Sequence, residues 1–283
     1  DELDDYVMDR MIGFGGFSTV RRGFCISDGH HVAIKIIKFD AAAASAEEDG
    51  ALPLLLEREL SIWKSLCHPN IVCLQKILET DHALYLICDY CSGGSLLSKV
   101  KEAHSHGGGG GGWSELEARG IFRDVCQAVS YLHEEAKVCH KDLKLENILL
   151  DDQAHCAKVC DFGLALPFGC ASSSSSSSAE GRPGGSLAYM SPEQLTTSST
   201  TPTMTSPSSD IWSLGVILYA MVTGKLPFWD EYELRLQQKI LIGQYPEPNN
   251  ASSDVQTLIR GCLNRDPQKR WTIKQVLASS WLK

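Results

Sequence analysis

Residues 139–147 read CHKDLKLEN and residues 161–163 read DFG, and each segment adjoins an apolar run that predicts a buried strand. Within the first segment, Asp142, Lys144 and Asn147 could serve as a base, a charge neutraliser and a metal ligand. Asp161 stands at a strand end before a glycine. A carboxylate there suits Mg²⁺, which takes one or two carboxylates together with phosphate oxygens. Taken separately, the two segments could equally be a polar loop and an ordinary turn.

A glycine-rich segment lies near the start of the chain, where residues 12–20 read IGFGGFSTV. Glycines let a backbone turn tightly and bring its N–H groups against phosphates. On its own the segment fits a hairpin turn as well as a phosphate-binding loop. A dinucleotide-binding loop needs a helix directly after the glycines. A second strand-like run follows here instead, which disfavours an oxidoreductase.

A lysine ends the apolar run VAIK at residues 32–35. Such a lysine usually extends to solvent, but an acid on a packed helix can hold it toward phosphates. Two acids, Glu57 and Glu59, lie on the helix predicted around Leu56. Glu59 has the better sequence context, within Arg-Glu-Leu, so we expect the pair to be Lys35 with Glu59.

The order of the periodic patterns predicts an α+β fold with two lobes, because a sheet-rich part precedes a helical part. A capping box at Ser114 and Glu117 marks one helix start. The predicted strands cover residues 5–23 (around the glycine turn), 31–37, 71–78 and 83–88, and the predicted later helices cover residues 210–223, 255–263 and 272–282.

Taken in order, these segments resemble the eukaryotic protein kinase family. The landmarks are the glycine loop, Lys35, Glu59, residues 139–147, DFG at 161–163, Ser-Pro-Glu at 191–193, DIWSLG at 210–215, and Arg270. The resemblance covers practically the whole chain. It implies a small β-rich N-lobe with one helix and hinge over 1–91, and a larger helical C-lobe over 92–283.

The resemblance also implies a role for each matching residue in transferring the γ-phosphate of Mg-ATP. Asp142 would be the catalytic base, Lys144 would neutralise the transferring phosphoryl group, and Lys35 would hold the α- and β-phosphates while paired with Glu59. Asn147 and Asp161 would ligate Mg²⁺. The nucleotide would contact Ile12, Gly13, Gly15, Val20, Ala33, Lys35, Cys88, Asp89, Cys91, Leu149 and Asp161, with Cys88 as the gatekeeper behind the adenine.

Further family features concern the interior. Trp63, Leu74, His140 and Phe162 would stack as a regulatory spine anchored near Asp210. Glu193 and Arg270 would form a buried ion pair. Cys160, directly before Asp161, would face the nucleotide pocket with a thiol that could react with electrophiles.

Lys144, two residues after the base, is similar to the lysine of serine/threonine kinases and implies that substrate class. The segments YMSPE at 189–193 and SDIWSLGV at 209–216 resemble most of all the calcium/calmodulin-dependent or AMP-activated types. Glu146 favours protein substrates with basic residues near the acceptor, although Ser95 stands where related kinases often carry Glu. Two departures are Ser18 for the third loop glycine and Lys141 for an arginine that binds phosphate. The alternative function is a kinase-shaped scaffold that binds nucleotide or partners without transfer.

Composition narrows the class of protein. The 283 residues carry a formal charge of −9, which disfavours nucleic acid as a partner. No apolar stretch reaches the ~20 residues of a membrane span. The 11 cysteines suggest reduced thiols and an intracellular, cytoplasmic setting. We also expect a monomeric catalytic domain that is part of a longer polypeptide. Cys88 and Cys91 have the spacing of half a zinc site, but no second pair follows, so we expect core or pocket cysteines.

Three low-complexity segments are predicted as mobile insertions: residues 104–112 (glycine-rich), 172–178 (serine) and 196–209 (Ser, Thr and Pro). The serine run lies inside the predicted activation segment. It is either an insertion without a role or a cluster of phosphorylation sites, with Lys141 and Arg182 as counter-charges.

Overall fold

A six-stranded antiparallel sheet with one helix forms the first lobe. The computed structural model of the protein describes residues 2–15, 18–39, 54–106, 113–151, 156–169, 171–172, 187–196 and 203–283. In the sheet the strands lie in the order β1-β2-β3-β4-β6-β5. The elements are β1 (Glu2–Leu3), β2 (Tyr6–Phe14), β3 (Ser18–Cys25), β4 (His31–Lys38), α1 (Leu54–Ser65), β5 (Leu74–Glu79) and β6 (Ala83–Asp89).

The central strand β4 shows why the sheet and helix α1 pack as they do. Side chains alternate across a strand, so Val32 and Ile34, both fully buried, belong to the core on one face of the sheet. Ala33, on the other face, packs in the same core as Leu60 and Trp63 of α1. Lys35 lies two residues after Ala33 and therefore points toward the helix side.

The second lobe is mainly helical. Its helices are α2 (Leu96–His106), α3 (Glu115–Ser130), α4 (Pro192–Thr196), α5 (Ser208–Thr223), α6 (Glu233–Ile242), α7 (Ser253–Cys262) and α8 (Ile273–Leu277). Its short strands are β7 (Val138–Cys139), β8 (Ile148–Asp151), β9 (Cys156–Val159), β10 (Leu166–Pro167), β11 (Ala171–Ser172) and β12 (Thr203–Met204), which pair as β7 with β10, β8 with β9 and β11 with β12.

Helix α5 forms the centre of this lobe, because it is apolar on all sides and nearly every residue of it is buried. The helix ends at Gly224, whose φ of 72° is the left-handed conformation that favours glycine. Helix α3 begins at the predicted capping box of Ser114 and Glu117. Within the described ranges, no helix is long and apolar enough to cross a membrane.

The observed architecture confirms the predicted α+β fold with two lobes, whereas several boundaries differ. The strand predicted from residue 71 begins at Leu74, because Ile71 instead makes an isolated bridge with Val159 of the second lobe. The helix predicted over 272–282 ends at Leu277. Helix α6 was not predicted.

The three predicted insertions are partly ordered at their edges. Residues 104–106 are the last residues of α2, residues 203–204 form β12, and α5 already begins at Ser208. Ser172 lies in β11. The remainder of the glycine and serine runs, with Arg182, lies outside the described residues, as do residues 197–202.

Candidate active site

A buried carboxylate fixes the backbone of the segment 139–147. Asp210, in the first turn of α5, is 1% exposed. It accepts hydrogen bonds from the backbone N–H groups of His140 and Lys141, both at 2.9 Å, and its Oδ2 lies 2.8 Å from Nε2 of His133. Burial alone would raise the pKa of Asp210, but these contacts hold that pKa below its ordinary value. The charged carboxylate therefore holds the loop in place at neutral pH.

Two polar side chains of the same segment meet around the carboxylate of Asp142. Lys144 Nζ donates to Asp142 Oδ2 at 2.6 Å. Asn147 Nδ2 donates to the backbone oxygen of Asp142 at 2.9 Å and to Oδ2 at 3.0 Å. Both side chains donate to the same oxygen, Oδ2. The arrangement orients the carboxylate and places a cation beside it.

Lys35 joins the two lobes. Its Nζ lies 2.9 Å from Glu59 Oε1 and 3.8 Å from Asp161 Oδ1. Burial would lower the pKa of Lys35, but the two carboxylates outweigh it and raise that pKa above its ordinary value. The predicted pairing of Lys35 with Glu59 is confirmed, and the competing acid Glu57 is exposed to solvent.

Asp161 occupies an uncommon backbone conformation. Its φ of 67° lies in the left-handed region, which costs energy for a residue other than glycine and occurs most often at functional sites. The next residue, Phe162, is fully buried, with its ring centroid 5.1 Å from that of His140 and 6.3 Å from that of Trp63. This stack holds the segment, so the carboxylate of Asp161 stays near Lys35.

The predicted spine is therefore present in three of its four members. The ring of Phe162 lies between those of Trp63 and His140. Asp210 accepts a hydrogen bond from the backbone N–H of His140. The fourth, Leu74, packs against the same core. Trp63 is further fixed by its indole N–H, which donates to the backbone oxygen of Val72 at 2.7 Å.

The donor atoms fit a magnesium ion chemically. Mg²⁺ prefers carboxylate and amide oxygens together with phosphate oxygens. Asp161 supplies a carboxylate, and its side chain is 48% exposed. The amide nitrogen of Asn147 donates to Asp142, so the amide oxygen is the atom that could bind the metal. Asn147 and Asp161 are also tied through the backbone, since Cys160 N–H donates to the oxygen of Asn147 at 2.9 Å.

The residues predicted to line the nucleotide come from both lobes. Gly13 pairs with Val20 across the β2–β3 hairpin, and the N–H of Gly15 donates to the oxygen of Ser18 at 2.7 Å in the turn. Ala33 and Cys88 are paired on neighbouring strands. In the second lobe, Leu149 bridges to Ser95. Five of these predicted nucleotide-lining residues belong to the hydrophobic core shared by the two lobes or pack against it: Val20, Ala33, Cys88, Cys91 and Leu149. Ile12 is 42% exposed.

Asp89 is held by its side chain as well as its backbone. Its carboxylate accepts hydrogen bonds from Lys158 Nζ at 2.7 Å, Gln75 Nε2 at 3.0 Å and the N–H of Cys73 at 3.2 Å. No local sequence pattern predicts this network. It ties the end of β6 to β9 of the other lobe.

The cysteines of this region are buried thiols. Cys88 and Cys91 are 6% and 8% exposed, and burial raises the pKa of each to about 12. Burial also raises the pKa of Cys160 well above its ordinary value. Because the thiolate is the reactive and metal-binding form, these shifts disfavour both a zinc site at Cys88 and Cys91 and a fast reaction of Cys160 with electrophiles.

The predicted pair of Glu193 and Arg270 is present. Arg270 donates from Nη1 to Glu193 Oε1 at 2.6 Å and from Nη2 to Oε2 at 2.8 Å, and its side chain is 0% exposed. Arg270 also donates to the backbone oxygen of Ser208 at 2.7 Å. The bidentate contact ties α4 to the start of α5 and to the last part of the chain.

His133 is a further residue that sequence reasoning missed. It is 3% exposed and contacts Asp210 across 77 positions of sequence. A single histidine near the end of α3 gives no pattern by itself. Only the fold shows that its ring joins the carboxylate that holds the loop.

Comparisons with known proteins agree with this geometry. The model of the family described as "Protein kinase domain" matches residues 6–282. The Xenopus laevis protein named "Hormonally up-regulated neu tumor-associated kinase homolog A" is 38% identical over 283 residues, which cover 99% of this chain and 38% of that protein. The human "Hormonally up-regulated neu tumor-associated kinase" is 38% identical over 276 residues, which cover 96% of this chain and 36% of that protein. The chain thus spans less than two fifths of the length of these relatives.

Proposed function

The chain belongs to the protein kinase domain family, and from that premise we propose that it transfers the γ-phosphate of Mg-ATP to serine or threonine hydroxyls of proteins. The observation that supports this best is the convergence of Lys35, Asp142, Asn147 and Asp161. Their side chains come from both lobes and are joined by the contacts of Lys35 with Asp161 and of Asn147 with Asp142.

The roles we propose follow from the charges that phosphoryl transfer requires. There is little covalent chemistry for the protein to perform, so the rate depends on positioning and charge neutralisation. Lys35, kept charged by Glu59, would hold phosphate oxygens. Asp142 would accept the hydroxyl proton while Lys144 neutralises charge beside it. Asn147 and Asp161 would hold the magnesium ion, whose contribution is to neutralise the phosphates.

The experiment compares the purified protein with Asp142→Asn and Asp161→Asn, using labelled ATP and a generic peptide substrate. Loss of a general base lowers a rate by about 10²–10⁴-fold, so Asp142→Asn should show almost no transfer. Asp161→Asn should do the same. Asp81→Asn, in an exposed turn, is the matched control and should leave transfer unchanged. Near wild-type turnover of folded Asp142→Asn would contradict the proposal, and nucleotide binding without transfer by the unmodified protein would favour the scaffold function.

We also propose that basic residues near the acceptor favour a substrate. Glu146 lies in the segment 139–147 and is partly exposed. Its negative charge would attract an arginine or lysine of the substrate. Serine peptides with and without flanking arginines test this. Glu146→Gln should remove the preference while leaving turnover of the neutral peptide largely unchanged, whereas equal turnover of both peptides by the unmodified protein would contradict it.

A further inference from the structure

The turn between β3 and β4 brings together three metal-ligating side chains, none of which belongs to the candidate active site. Cys25, Asp28 and His30 each offer one ligand atom, and these atoms all lie within 4.8 Å of one another. We propose that they form a Zn²⁺ site, with water in the fourth position. The proposal is independent of the proposed catalytic function.

The backbone of the turn is fixed, which favours a preformed site. The N–H of Gly29 donates to the oxygen of Cys25 and the N–H of Cys25 donates to the oxygen of His30, each at 2.9 Å. Gly29 has a φ of 73°, which closes the turn. The N–H of Ile26 donates to the oxygen of Asp5 at 2.8 Å and so ties the turn to the segment before β2.

The ligand types are those that zinc takes. Zn²⁺ binds thiolate sulfur at about 2.3 Å and imidazole nitrogen or carboxylate oxygen at about 2.0–2.2 Å, in tetrahedral geometry. Asp28 Oδ1 and His30 Nδ1 are now 2.6 Å apart in a hydrogen bond. A cation between them would replace that bond, and small side-chain rotations would bring the sulfur of Cys25 into range.

The outer contacts match those of a metal-binding histidine, which usually uses its second ring nitrogen to bond a neighbouring acceptor. His30 Nε2 lies 3.4 Å from Gln75 Oε1, which leaves Nδ1 for the metal. Gln75 is itself oriented, because its Nε2 donates to Asp89 Oδ1 at 3.0 Å. The hydroxyl of Ser27 lies 3.1 Å from the sulfur of Cys25 and can donate to a thiolate.

The site is also reachable. The side chains of Asp28 and His30 are 61% and 43% exposed, so an ion can reach these two ligands from solvent and keep a water ligand. Cys25, at 7% exposed, is the buried ligand of the three. The other group of this kind in the described part of the chain, formed by His133, Cys139 and Asp210, is entirely buried. Asp210 there already accepts two backbone hydrogen bonds, so that group serves the loop rather than an ion.

The test is a Zn²⁺ titration of the purified chain against a chromophoric chelator, with Asp28→Asn and His30→Gln as variants. Both residues are exposed, so the variants should fold. The unmodified protein should bind one Zn²⁺ more than either variant. Asp81→Asn and His82→Gln, in the exposed turn before β6, are matched controls and should keep that ion. Gln75→Ala should weaken its binding about 10–100-fold, the usual effect of losing an outer contact.

Cobalt(II) identifies the sulfur ligand. With Co²⁺ in place of Zn²⁺, the unmodified protein should show a sulfur-to-cobalt charge-transfer band that Cys25→Ser removes and that Cys67→Ser, at an exposed cysteine, retains. The absence of that band in the unmodified protein would overturn the site. So would failure to bind Zn²⁺, or equal Zn²⁺ stoichiometry in the unmodified protein, Asp28→Asn and His30→Gln.

Discussion

At the scale of single residues, the ion pair of Lys35 with Glu59 decides whether a cation is available in the cleft. Lys35 has Asp161 3.8 Å away on the opposite lobe, so without Glu59 its ammonium is free to move toward that carboxylate. A misplacement of about 1 Å at a reacting centre can cost about a hundredfold in rate. We therefore expect Glu59→Gln to lower kcat/KM for ATP about a hundredfold, measured by steady-state peptide phosphorylation.

Glu57 supplies the control for that measurement. It lies on the same helix two residues earlier and is exposed, so Glu57→Gln changes the same charge without touching Lys35. Its kcat/KM should equal that of the unmodified protein. Equal losses in the two variants would mean that the negative charge of α1, rather than the contact, is what matters.

The same pair shows how far the sequence could predict the site. The sequence identified Lys35 and two acids, and the local context Arg-Glu-Leu favoured Glu59, which the structure places against Lys35. His133 and the network of Lys158 with Asp89 were not predicted. Their partners lie 77 and 69 positions away, and no local pattern marks a contact that only the packed lobes create.

At the scale of elements, helix α5 depends on close approach to α7. A Cβ added at Gly215 would lie 2.7 Å from Cys262 Cβ and 2.8 Å from two side-chain atoms of Leu263, which is closer than carbon atoms pack. Overpacking of a core costs about 1–3 kcal/mol. We expect Gly215→Ala to lower the free energy of unfolding by that amount, measured by urea denaturation.

Gly120 provides the opposite case in another helix. It lies on the exposed side of α3, and a Cβ there would meet nothing within 4 Å. Alanine is favoured over glycine in a helix interior by about 0.5–1 kcal/mol, so Gly120→Ala should stabilise the protein. If Gly215→Ala also stabilised the protein, helix propensity or the entropy of the unfolded chain, rather than packing, would decide the effect at Gly215.

The boundaries of the elements depended on these tertiary contacts. The apolar run from Ile71 predicted a strand, but Ile71 bridges to Val159 in the other lobe, so the sheet strand starts only at Leu74. Helix α5 was located correctly because its run of apolar residues is long. Its first turn was missed since Ser208 and Ser209 read as loop residues, and the bond of Arg270 to the oxygen of Ser208 becomes visible only in the fold.

At the scale of the whole molecule, the pair of Glu193 and Arg270 connects parts of the chain that are 77 residues apart. Arg270 is fully buried, so its charge depends on Glu193 for compensation. Removal of one partner from a buried ion pair costs about 3–5 kcal/mol. Glu193→Gln should therefore lower the free energy of unfolding by about that amount at neutral pH.

The contribution of this pair should also depend on pH. Burial would raise the pKa of Glu193, but the two bonds from Arg270 outweigh it and hold that pKa below its ordinary value of 4.5. A group whose pKa is lower in the folded state stabilises the fold above the unfolded-state pKa, and this stabilisation is lost as the pH falls through the folded-state value. Urea denaturation over a pH series should show a constant difference between the unmodified protein and Glu193→Gln near neutrality, and a shrinking one below pH 4.5.

Glu247→Gln, which breaks a surface pair with Arg260, should differ little from the unmodified protein throughout. A difference for Glu193→Gln that stays constant into acid would show that the pair acts through its shape and hydrogen bonds, without linkage to the proton.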